Sequence, residues 1–181
     1  IIDNEKEDNE MAKDVNYYLD TYQKVVNQGD MQIAYIEIMN YFTKLHNTLP
    51  TTYVVSEITA GFMDYSYLTI HDNFLYDRYL KFIIALNHHT LGIELWLVCQ
   101  NEQAKHAYNI LISDSEWHRY LLHNPTHGIV EFVVCERIQP QDVDKQMPKT
   151  LEMIDQYISR IESFLYADEI KLPILPNNTE S

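Results

Sequence analysis

The sequence predicts an α+β fold: helices at both ends, and between them a mainly antiparallel, four-stranded mixed sheet packed with helices. Three observations carry this. The two ends of the 181-residue chain repeat apolar residues at spacings of three and four, the period of a helix with one buried face. The middle holds runs dominated by β-branched and aromatic residues, which suit pleated, half-buried strands. Glycine is scarce, with only 4 copies, which argues against phosphate-cradling loops and against a solenoid of tight turns. The expected order is α-α-β-β-β-α-α-β-α.

Residues 1–11 are nearly all polar and read as flexible, with Met11 the expected natural start. From Asp14, a capping residue, Val15, Tyr18, Leu19, Tyr22, Val25 and Val26 share one helical face. Gly29 can close that helix in a left-handed conformation and Asp30 can cap the next. The second helix carries Ala34, Ile38, Tyr41, Phe42, Leu45 and Leu49 in one stripe and stops near Pro50. Residues 53–70 read as strand, with Ile58, Ala60, Phe62, Leu68 and Ile70 on one side and Gly61 as a bulge or a close backbone approach. The stretch 71–78 is a polar connection with room for one helical turn.

Residues 79–87 and 93–99 are the clearest strands, and the short link at 88–92 makes them a hairpin. With a four-residue loop, Ala85 faces Glu94, Ile83 faces Trp96 and Lys81 faces Val98, all on one side of the sheet. Asn101 can cap a helix running through Ile112, a short helix follows from Ser115 to Leu122, and residues 124–128 form a turn. Residues 129–138 form the last strand, reached by a crossover. Pro140 and Pro148 frame a loop, and Leu151, Ile154, Ile158, Ile161 and Leu165 mark the final helix. Residues 12–172 read as a single globular domain, and 173–181 as a loose tail.

A chain that is 46% hydrophobic and 22% charged has ordinary globular composition. The formal net charge is −14; residues 1–10 hold −4 of it and residues 168–181 hold −2. The remaining acidity repels a nucleic acid backbone, so nucleic acid binding is not expected. An acidic surface can mimic DNA, but solubility is the simpler account. Cys99 and Cys135 lie in apolar runs without Cys-x-x-Cys spacing, which excludes a disulfide framework or a zinc ribbon and points to free thiols in a reducing compartment. No apolar run reaches membrane-spanning length and no signal-peptide pattern begins the chain, so a cytoplasmic location is expected.

The runs Gly-Asp-Met-Gln-Ile-Ala-Tyr (29–35), Gly-Phe-Met-Asp-Tyr (61–65), Asp-Arg-Tyr-Leu-Lys-Phe (77–82), Leu-Asn-His (86–88) and Glu-Leu-Trp-Leu (94–97) resemble those of a bacterial domain family of unknown function. The resemblance spans roughly residues 15–138. It implies one domain and transfers no activity and no catalytic residue.

The candidate binding residues are Asp64, Lys81, Asn87, His88, Glu94 and Trp96. Glu94 interrupts an apolar strand, and a carboxylate there needs a partner or a proton. Lys81 shares its side of the hairpin. The plainer reading of both is an ion pair on a wet face, or a hydrogen bond from Trp96 or a tyrosine. Asp64 could share a cavity with Glu94 or mark where its strand leaves the core. The element order also resembles the core of a nuclease superfamily whose third strand carries Glu-x-Lys. Here that strand reads Glu94-Leu95-Trp96, without the lysine, so a metal-assisted hydrolase would be degenerate. The eight histidines make a weak metal signal: His88 and His89 are adjacent, and His123 and His127 have i, i+4 spacing but Pro125 and Gly128 make that stretch a turn, with no further clear ligand.

No metal, no cofactor and no catalytic residue is therefore expected. The reading is a non-catalytic domain binding a small molecule or a protein, with a homodimer through exposed tyrosines as a further expectation. A hydrolase with a carboxylate-centred site on the sheet is the alternative.

Overall fold

The structure, a computed structural model, describes residues 14–120 and 128–167. The segment 1–11 expected to be flexible, the tail expected over 173–181 and the histidines at 123 and 127 lie outside the described residues. The chain divides into two compact units, residues 1–39 and 40–181.

In the first unit, α1 (Val15–Gln28) starts at Asp14, whose carboxylate accepts the Tyr17 N–H at 2.9 Å. Such a cap satisfies one of the four amides a helix leaves unpaired at its start. Gly29 ends α1 at φ 82°, where a side chain would be strained, and its N–H returns to the Val26 carbonyl. Asp30 then begins α2 (Asp30–Thr48) as its first residue. None of the α1 residues is buried.

In the second unit, the end of α2 buries Tyr41, Phe42 and Leu45. The sheet follows: β1 (Val54–Val55), β2 (Tyr65–His71), β3 (Leu80–Asn87), β4 (Gly92–Cys99) and β5 (Gly128–Cys135), in sequential order and antiparallel at every pair. This corrects the expected four-stranded mixed sheet in two ways. Residues 53–70 are two strands and not one, and β5 returns antiparallel to β4. The connection through α4 (Glu102–Ser113) and a 3₁₀ helix (Glu116–Tyr120) carries the chain back to the end of the sheet it left, as Val98 pairing with Gly128 shows.

The break between β1 and β2 is built by Asp64. Its Oδ1 accepts the Phe62 and Tyr65 N–H groups, closing a turn in which Met63 stands at φ 64°. Gly61 is there for close approach rather than a bulge: a Cβ at that position would sit 1.9 Å from the Tyr65 carbonyl oxygen. Phe62, expected on an apolar strand face, is 99% exposed at the tip of this turn.

The β3–β4 hairpin has the expected register, with Ala85 opposite Glu94, Ile83 opposite Trp96 and Lys81 opposite Val98. Alternation then sorts the sheet into two faces. Leu68 and Ile70, Phe82 and Ile84, Leu95 and Leu97, and Phe132 are buried on one. There Phe132 stacks on Tyr157 of α5 (Val143–Ala167) at 4.2 Å and meets Trp117 edge-on at 5.8 Å. Helix α5 adds Ile154, Ile158, Ile161 and Leu165, and α4 adds Ala104, Tyr108 and Ile112. Each such side chain contributes about 1.5–3 kcal/mol on burial, so this face is where the fold is held. Pro148 lies within α5 and does not frame a loop, while Pro140 opens a short 3₁₀ turn (Pro140–Asp142). Among the described residues, no helix is long and apolar enough to cross a membrane.

Candidate functional site

The second face of the sheet carries the polar residues. Two rows run across it: Thr69, Ile83, Trp96 and Glu131, and beside it Tyr67, Ala85, Glu94 and Val133. Tyr67 and Val133 are exposed, and Thr69, Ile83, Trp96 and Glu131 are half-buried.

Glu94, only 6% exposed, is the centre of one cluster on this face. Its Oε1 accepts from Asn87 Nδ2 at 2.8 Å and its Oε2 from Trp96 Nε1 at 3.0 Å. The β-period explains both: Asn87 sits at the end of β3 beside the hairpin, and Trp96 is two residues along β4, on the same side. Asn87 also donates to the Tyr65 hydroxyl at 3.2 Å, and the Tyr65 ring packs edge-on against Trp96 at 5.0 Å.

Glu131 completes the cluster. Burial first, then the Glu94 charge and a hydrogen bond to the Glu94 carboxyl, hold the Glu131 carboxyl above its ordinary value. Burial, followed by the charges of Glu94, Glu131 and Asp64, raises the Tyr65 hydroxyl too.

A groove of about 610 Å³ lies beside this cluster. Strand β2 lines it with Tyr67, Thr69 and His71, β3 with Lys81 and Ile83, and β4 with Val98 and Cys99; Tyr76 and Gln100 complete it. Tyr76 belongs to α3 (Asn73–Tyr76), a single turn capped by Asp72, and it stacks on His71 at 5.5 Å. The volume is in the range of small-molecule sites.

The six expected site residues therefore divide into three places. Asn87, Glu94 and Trp96 are joined by hydrogen bonds. Lys81 is on the same face but lines the groove, and among the described residues no carboxylate pairs with it, so the anticipated ion pair with Glu94 does not form. Asp64 does not share a cavity with Glu94; it closes the 61–65 turn, and the turn's hydrogen bonds, first that from the Tyr65 N–H, hold its carboxyl below the usual range. His88 is tied to the same corner, its N–H donating to the Asp64 carbonyl and its Nε2 lying 2.9 Å from Ser66 Oγ. Burial lowers the His88 imidazole's pKa, against the opposing pull of Asp64. Sequence reasoning did not include Glu131, Tyr65 or the β2 side of the groove. Extending the hairpin's inward–outward alternation to the neighbouring strands would have found Tyr67 and Thr69. Glu131 needed the β4–β5 register, which is irregular at two points.

Fold and site together define an α+β protein that packs helices on one face of an antiparallel sheet and keeps a grooved polar surface on the other. The chain belongs to the DUF7000 family, a domain of unknown function, whose profile matches residues 15–165. No curated protein and no solved structure matches it.

Proposed function

We propose that this protein is a non-catalytic binding domain whose groove on the polar sheet face receives a small molecule. One observation carries the reading: Tyr67, Thr69, Lys81, Ile83 and Val98, from three adjacent strands, line an open cavity large enough for such a ligand. Sheet strands are rigid supports, so the site needs little ordering when a ligand arrives. A cytoplasmic setting fits the two free thiols, Cys99 and Cys135.

The test is a small-fragment screen read by thermal shift, on the protein and on Ile83→Trp, which fills the groove from its floor. Fragments that raise the melting temperature of the native chain and lose that effect in Ile83→Trp support the reading. Hits that bind both alike would place binding elsewhere.

A hydrolase centred on the carboxyl pair is the second reading, favoured by the raised Glu131. Against it, both Glu94 oxygens already accept hydrogen bonds from neighbours, which suits a structural carboxylate. Glu94→Gln separates the two: an enzyme would lose turnover with its fold intact.

A further inference from the structure

We propose that the ligand of the groove carries a compact oxyanion, a carboxylate or a phosphate, on a flat apolar body, and that Lys81 holds the anion. This rests on the groove being a binding site, as argued above.

The lining's charge is the first argument. Acidic residues outnumber Lys and Arg by 27 to 13 in this chain, yet among the described residues none lines the groove. The polar groups there are one ammonium, on Lys81, the hydroxyls of Thr69, Tyr67 and Tyr76, the His71 imidazole and the Gln100 amide. All of them can donate a hydrogen bond.

Lys81 itself is the second. It is half-buried, and among the described residues no carboxylate lies within ion-pair distance. A partly desolvated ammonium gains most from a counter-charge that arrives without its water, which a bound anion supplies.

The floor is the third. Ile83 presents aliphatic surface, with the nearly buried Val98 beneath it on the neighbouring strand, and Tyr76 stacked on His71 gives an aromatic wall. A planar ring can lie against both, while the surrounding acidity disfavours ligands of high negative charge.

Benzoate, phenyl phosphate and benzamide share one ring and differ in the head group. Each is titrated into ¹⁵N-labelled protein and into Lys81→Gln, with Lys81→Arg as the charge-conserving control. The expected result is that the two anions move the amide signals of Thr69, Lys81, Ile83 and Val98 with affinities about tenfold above benzamide. Lys81→Gln should remove that preference and leave benzamide unchanged, and Lys81→Arg should keep it. The stronger of benzoate and phenyl phosphate then shows which head group the groove prefers. Equal binding of all three at these amides, or anion binding indifferent to Lys81→Gln, overturns the anion inference while leaving the groove a binding site. Movement of none of these amides by any probe overturns both.

Discussion

Glu131 stands in the row next to Glu94 on the polar face of the sheet, opposite Trp96, and the Glu94 charge adds to burial in raising the Glu131 carboxyl. Glu94→Gln removes that charge. The Glu131 carboxyl should then titrate at lower pH, though still above the ordinary value because burial, the larger cause, remains. Carbon-13 NMR of the side-chain carboxyls reads this directly; a Glu131 titration unmoved by Glu94→Gln would show that the two are not coupled.

The same carboxyl organises two donors. Glu94→Ala leaves one N–H of the Asn87 amide and the Trp96 indole N–H without an acceptor in a half-dry site, the other Asn87 N–H keeping the Tyr65 hydroxyl. The expected loss is about 2–3 kcal/mol, against about 1 kcal/mol for Glu94→Gln, which keeps the shape and one acceptor. Urea unfolding measures both, and equal losses would mean that the hydrogen bonds contribute little.

Glu162 supplies the clearest pH dependence. Burial, then Asp72 and Asp155, push its carboxyl up to about 7, and its Oε1 is buried with no hydrogen-bond partner among the described residues. The protonated form is the one the fold favours. Its contribution is therefore fully present below the unfolded value of 4.5 and is lost as pH rises through about 7. Glu162→Gln should stabilise the protein at pH 8 by about 1 kcal/mol, a figure reduced for solvent screening at a half-exposed group, and by much less at pH 4.5. Melting curves across that range check the sign; a variant less stable than the native chain at pH 8 would contradict it.

Gly61→Ala should cost about 1–3 kcal/mol, because its Cβ would meet the Tyr65 carbonyl oxygen at 1.9 Å and that oxygen is backbone, which cannot swing aside. The strain falls where Thr59 bridges to Tyr67, so hydrogen exchange at the Thr59 and Tyr67 amides should speed up. Unchanged exchange there would show that the turn tolerates the methyl.

The sequence made the β3–β4 hairpin legible down to its register, since a four-residue loop between two strongly patterned strands leaves one pairing that keeps Phe82, Ile84, Leu95 and Leu97 on the same buried face. It therefore also placed Lys81, Glu94 and Trp96 on one side. It did not show the break at 61–64, because composition there favours strand on both sides and the turn is made by one aspartate's hydrogen bonds. The direction of β5 was hidden by the long connection before it, and with it the place of Glu131. Pro148 misled for a related reason: it falls at the sixth residue of α5, where a missing N–H can be absorbed within a long, well-buried helix.

The most direct test of the central claim is a crystal structure of the protein soaked with small aromatic acids. Density for a ring against Ile83 and Val98, with an acid group within about 3 Å of Lys81 Nζ, is the predicted result. An empty groove in crystals that hold the same compounds at another surface would contradict the assignment of the polar sheet face as the binding site.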